Sequence, residues 1–330
     1  MAFSIKRERR RTVGGYSLFK LKPGLNHDTV FLTCLKKNFR DVRSKINQMY
    51  KEVHKYIPDS HFENQVQENF HGAYWQLYIT WVFHKYGPSK LIIPGSDGPD
   101  IVLEDGTIIE AVSVTPGKGE NRPETLWEDM KNVGGGIVKD PNPKIVLRIS
   151  NAIDEKKKKY RGWVKKGIVK ADQPFIIAIN AGMVSPDVLP HANEFSYGAK
   201  TVYAMGSLYL AMPRDQKNGW PDPDRVITRL QYSPTKIKHN GSEVESDWFL
   251  KSDHKEISGL IFSPSHYLIA FPYSHTGDIE YLSNGFAKNK LPLRFIRGIQ
   301  YSWMEKENDP PGFRYHHMDC RIDVNPLKIN

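Results

Sequence analysis

A mixed α/β fold is predicted by three features of the 330-residue chain. Two segments near the start carry apolar residues at helical spacing. Short β-branched runs bounded by Gly, Pro and Asp follow them. A third amphipathic segment then separates those runs from a strongly apolar strand. The order over 61–180 is therefore helix, strand, strand, strand, helix, strand. A basic arm and helix over 1–60 precede this core of 61–182, and an α/β extension over 183–330 is expected to enlarge the same sheet.

Each element has its own signal. Residues 1–26 are basic and glycine-containing and predict an irregular arm. Over 28–56, Val30, Leu32, Leu35, Phe39, Val42, Ile46, Tyr50, Val53 and Tyr56 recur at helical spacing, with lysines and arginines on the other face. Pro58-Asp59-Ser60 closes that helix and Ser60 is placed to cap the next. The second helix runs to about Tyr86 on a stripe of Phe62, Val66, Phe70, Ala73, Leu77 and Trp81, and Gly87-Pro88 ends it. Strands are predicted at 91–93, 100–103 and 107–115. The last two are joined by Glu104-Asp105-Gly106, with Gly106 in the left-handed position of a three-residue hairpin turn. The segment 116–143, rich in Gly, Pro and charge, predicts a long loop. A helix from near Lys144 to Gly167 and a buried strand at 175–179 complete the core, and further strands are predicted at 201–212, 256–263, 266–272 and 291–301.

Composition narrows the function. The 47 Lys and Arg against 37 Asp and Glu give a net charge of +10, which favours a polyanionic partner such as nucleic acid. No run approaches the roughly 18–20 apolar residues of a spanning helix, so no membrane role is expected. Two cysteines, Cys34 and Cys320, exclude a disulfide framework and an all-cysteine zinc site. A basic N-terminus without an apolar run behind it predicts no secretory leader, and a cytoplasmic location is expected.

The segment that carries chemistry is 98–112. The three-residue turn pairs Asp100 across the hairpin with Glu110, which brings their Cβ atoms to roughly 4.5–5.5 Å. Two carboxylates that close repel unless a hard divalent cation bridges them, and Mg²⁺ suits such a pair. A solvent-facing pair at the hairpin's rim is the alternative. Pro99-Asp100 with Glu110 ten positions on resembles the motif of the PD-(D/E)xK nuclease superfamily, the restriction-endonuclease-like fold, and the order of elements over 61–180 is similar to that superfamily's core. The resemblance covers a little over a third of the chain. It implies an endonuclease that hydrolyses phosphodiester bonds in DNA with Mg²⁺, or Mn²⁺ as a substitute; an RNA-directed nuclease is a third reading that the sequence does not separate from it. Asp100, Glu110 and the Ala111 carbonyl would hold the metal. By analogy it also implies a restriction or phage-defence role, and a homodimer, since two cuts in a duplex need two sites.

Two positions depart from the pattern. The motif lysine is expected two residues after the glutamate, where Val112 stands. Some members carry it on the following helix. At 100° per residue, Lys156 falls inside the stripe of Ile145, Ile149, Ala152, Tyr160 and Trp163, while Lys157, Lys158 and Lys159 turn to the edge or away. Lys156 is therefore the expected catalytic lysine; the alternative is a side chain that snorkels past the core edge. In the first core helix, Gln76 stands where relatives carry a metal-binding glutamate. Glu63, Gln67 and Glu68 on the same helix are substitutes that read more readily as surface polar residues. Arg148, Lys118 and Lys159 are candidate phosphate contacts, as are the basic, aromatic-interleaved stretches 36–55 and 156–166. No GxxxxGK[ST], HExxH or GxSxG sequence occurs. His316-His317 with Asp319 and Cys320 makes a poor chelate, because adjacent residues on a strand point apart. A nuclease-fold protein that binds nucleic acid without cutting is the rival reading, favoured by the charges missing at Val112 and Gln76.

Overall fold

The apolar faces read from spacing close onto the two sides of one sheet. The computed structural model describes residues 17–57, 59, 61–123, 142–184, 195–211, 227–265, 278–308 and 311–320. Helices α1 (Thr29–Cys34), α2 (Arg40–Val53), α3 (Phe62–Glu68) and α4 (Phe70–Tyr86) lead into strands β1 (Leu91–Ile92), β2 (Ile101–Leu103) and β3 (Ile108–Ser113). Then come α5 (Asn142–Lys166), β4 (Phe175–Asn180), α6 (Tyr197–Val202), β5 (Met205–Ala211), β6 (Ile227–Tyr232), β7 (Thr235–Ile237) and β8 (Glu243–Glu245). The chain continues through β9 (Gly259–Ser263), β10 (Glu280–Ser283), β11 (Gln300–Asn308) and β12 (Pro311–Asp319).

Eight strands form one mixed sheet in the order β1-β2-β3-β4-β9-β10-β11-β12, while β5-β6 and β7-β8 are separate pairs. The contacts β3–β4, β4–β9 and β10–β11 are parallel and the others antiparallel. Alternation along the strands divides the core. Ile109, Ile176, Ala178, Ile261 and Tyr281 pack with Phe62, Phe70, Trp75, Leu77 and Phe83 of α3 and α4. Ile108, Phe175, Ile177, Ile179, Leu260 and Phe262 pack with Ile145, Ile149, Ile153, Tyr160 and Trp163 of α5. The fold is thus mixed α/β, with helices on both faces of the sheet.

Several elements differ from the spacing-based prediction. The helix expected over 28–56 is broken after α1, where the Arg43 guanidinium donates to the carbonyls of Cys34 and Lys36 and so accepts the role of the next turn's amides. The helix expected over 60–86 breaks at Asn69, whose backbone is non-helical (φ −142°, ψ 66°). Its side chain fills the space a Cβ at Gly72 would need, only 2.6 Å from Asn69 Nδ2. Ser60 lies outside the described residues. The strand expected over 201–212 starts later, because Ser196 Oγ accepts from the Ala199 amide (3.1 Å) and sets up the short α6 first. Most of 291–301 is turns rather than strand, and β11 begins only at Gln300. The strand predicted at 266–272 lies outside the described residues. The hairpin turn is as expected: Gly106 has φ +88° and its amide donates to the Leu103 carbonyl at 3.0 Å.

Candidate active site

The pairings Ile101↔Ile109 and Val102↔Ile108 fix the β2–β3 register, and continuing it by one residue sets Asp100 opposite Glu110. Asp100 sits just beyond the end of β2, half-buried, so its side chain is free to turn along the sheet's margin. Its Oδ2 accepts from the Ala111 amide (2.8 Å) and its Oδ1 from Gln76 Nε2 (3.3 Å). Ile108 and Val114 direct their amides at carbonyls of the β4 segment. Alternation along the strand turns the Ala111 amide and carbonyl the other way, to the side of Asp100. Burial, and secondly the Glu110 carboxylate, raise the Asp100 pKa from its ordinary range to about 6, with Lys156 opposing.

Glu110 is fully buried in β3, flanked by Ile177 of β4, and faces α5. Lys156 Nζ donates to its Oε1 at 2.7 Å, and Lys159 Nζ donates to the same oxygen at 2.5 Å. The other oxygen, Oε2, is buried and has no hydrogen-bond partner. A buried carboxylate oxygen in that state carries a desolvation cost, which a cation would relieve. The two carboxylates and the Ala111 carbonyl offer oxygen donors of the kind hard divalent cations take, while Gln76 turns its Nε2 to Asp100. The residues present therefore fit a Mg²⁺ ion.

No family model, curated protein or solved structure matches this chain. The assignment of roles consequently rests on the geometry of these side chains.

Asp100, Glu110, Ala111, Gln76 and Lys156 are brought together. Lys159, exposed at the edge of the apolar stripe, joins them through its long side chain. It lies one turn beyond Lys156 on the same face, and its long side chain reaches back over Trp163, with Nζ 4.8 Å from that ring. Lys157 is not at the edge. It is 7% exposed, donates to His254 Nδ1 at 2.5 Å, and burial lowers its pKa. His254 Nε2 in turn lies 2.8 Å from Glu245 Oε2. The helical-wheel reading allowed α5 only one buried face, the one on the sheet. The segment 245–254 covers a second face, and no local pattern announces a contact between residues so far apart in sequence.

The remaining candidates fall elsewhere. Arg148 Nε donates to the Thr115 carbonyl (3.0 Å), and its guanidinium occupies the space a Cβ would need at Gly117, where φ is +71°. It therefore fastens the chain leaving β3. Lys118 is exposed on that same segment. Gln67 is buried and bonds the backbone of Lys20 and Lys22, while Glu63 pairs with Lys22 (3.0 Å), so both tie down the N-terminal arm rather than reach the site. Glu68 is exposed on α3. His316 lies 3.0 Å from Glu305 and stacks on Trp303, whereas His317 faces Ser302. Among the described residues, no group of three or more His, Cys, Asp or Glu converges as a metal cage.

Proposed function

We propose that this protein is a Mg²⁺-dependent endodeoxyribonuclease built on a restriction-endonuclease-like core, acting on DNA in a restriction or phage-defence setting. The observation that carries the reading is the meeting of Asp100, Glu110 and Lys156 from three separate elements, with one oxygen of Glu110 left unpartnered. A divalent cation held there would supply acidity to a water molecule and charge neutralisation to the phosphate. Asp100 and Glu110 orient the donor oxygens, and the Ala111 amide fixes the Asp100 rotamer. Lys156, held 2.7 Å from Glu110, presents its ammonium where the scissile phosphate gains negative charge. Gln76 donates its Nε2 hydrogen to Asp100 without adding a charge, and so helps to orient that carboxylate.

The two ammonium groups on Glu110 also favour a second reading, a nuclease-fold protein that binds nucleic acid without cutting, because they neutralise the buried carboxylate unaided. The deciding experiment incubates supercoiled plasmid, linear duplex and RNA with the purified chain in Mg²⁺, Mn²⁺ or EDTA, beside Glu110→Ala and Lys156→Ala. The expected result is metal-dependent cutting of DNA that each substitution reduces by at least about 10²-fold, the scale of losing one electrostatic contact to a transition state. Salt-sensitive binding without cutting would establish the second reading.

A further inference from the structure

The charges around Glu110 already balance. Two carboxylates, Asp100 and Glu110, stand beside two ammonium groups, Lys156 and Lys159, so the formal charges cancel. Both ammonium groups donate to the same oxygen, at 2.7 and 2.5 Å, so they stand close to one another as well. A divalent cation entering beside Oε2 would leave the site with two excess positive charges in a largely buried position, a state that low-dielectric surroundings penalise. Something cationic must leave, or something anionic must arrive with the metal.

Lys159 is the group placed to leave. Its side chain is 46% exposed, against 19% for Lys156. Its Nζ lies 4.8 Å from the buried Trp163 ring while it donates to Glu110, and its exposed stem lets the ammonium swing into solvent once released. Lys156 sits deeper against the strand.

We propose that Lys159 is an exchangeable counter-ion: it neutralises Glu110 while the metal is absent, is displaced by the divalent cation, and then serves as the cationic contact to the phosphate of the bound nucleic acid. Metal and polyanion binding are thereby coupled, because the two excess positive charges are balanced by successive phosphodiesters of the strand, each carrying one negative charge. This inference rests on the metal-dependent reading above.

The test measures Mn²⁺ binding to the full-length chain by electron paramagnetic resonance, without nucleic acid, in wild type, Lys159→Gln, Lys159→Arg and Glu110→Gln. Thermal melting checks that each variant folds, which the half-exposed position of Lys159 allows. Removing the competing ammonium is expected to tighten Mn²⁺ binding about tenfold, the scale set by one charge a few ångströms from a dication. Lys159→Arg is expected to behave as wild type. In a second arm, Ca²⁺ is expected to strengthen the binding of a short duplex to wild type, and Lys159→Gln to lose most of that increment. If Mn²⁺ binding is lost in Glu110→Gln but is unchanged or weaker in Lys159→Gln, the exchange is overturned and the metal site stands. If Glu110→Gln binds Mn²⁺ as wild type does, or wild type binds none, the metal site itself is refuted and the exchange falls with it.

Discussion

Burial and the nearby Glu110 carboxylate hold the Asp100 carboxyl up at about 6, against an ordinary value of 3.8. The sign of the consequence follows from which state binds the proton more tightly. Between about pH 4 and pH 6 the folded chain retains a proton that the unfolded chain releases, so this residue's contribution to stability falls as pH rises through that window. In EDTA, Asp100→Asn is accordingly expected to raise stability at pH 7, by on the order of 2 kcal/mol, and to leave it unchanged near pH 4. Urea unfolding at the two pH values checks this, and a variant that is no more stable at pH 7 would refute it. Asparagine keeps a carbonyl oxygen for the Ala111 amide, and the Gln76 amide has to turn its oxygen to the new NH2 group in place of the Nε2 that donates to Oδ1. The pairing of Asp100 with Glu110 was legible in the sequence because a three-residue turn with glycine at its left-handed position fixes a hairpin register. Their ammonium partners were legible only in part. Helical phase singles out Lys156, but phase alone does not say how far a four-carbon stem such as that of Lys159 will bend back.

At the scale of elements, α5 presents lysines to two different neighbours. Lys156 and Lys159 face β3, while Lys157 faces His254 and, through it, Glu245 on β8. Hydrogen bonding from His254 is the main cause that depresses Glu245 to about 2, with Lys251 adding to it against the opposing effect of burial. A depressed carboxylate stabilises the fold above its unfolded value, near 4.5, and that contribution disappears as pH falls from there toward 2. Acid unfolding of the wild type is therefore expected to steepen below about pH 4.5, and Glu245→Gln to flatten that part of the curve while lowering stability at pH 7. Melting temperatures between pH 7 and pH 2.5 give the comparison. Long amphipathic segments such as α5, and β4 with its unbroken run of buried residues, could be read directly from periodicity. The breaks at Leu35 and Asn69 could not, because they depend on Arg43 reaching carbonyls seven and nine residues back and on the space beside Gly72. Strands β10 and β12 were equally hidden, since their pairings with β9 and β11 are tertiary choices.

Across the whole molecule, the net charge of +10 sets an expectation that does not depend on catalysis. If the partner is nucleic acid, affinity for a duplex of any sequence should fall by orders of magnitude between about 50 and 200 mM salt, as counter-ion release requires. Fluorescence anisotropy over a salt series in EDTA measures this, and an affinity insensitive to salt would remove nucleic acid as the partner. Among the described residues no helix is long and apolar enough to cross a membrane.

Glu110 lies on the α5 side of the sheet beside Ile108 and Ile177, while Ile101 and Ile109 are held on the opposite side, and the apolar packing on each side is made by neighbours of the two carboxylates. Cohesion and chemistry are thus carried by different atoms of the same two strands. Populations of this protein propagated under pressure for heat resistance alone would drift toward neutral residues at position 100, with folded and abundant chains as the outcome. In such a lineage, abundance in the cell would say nothing about whether the carboxylate pair survived.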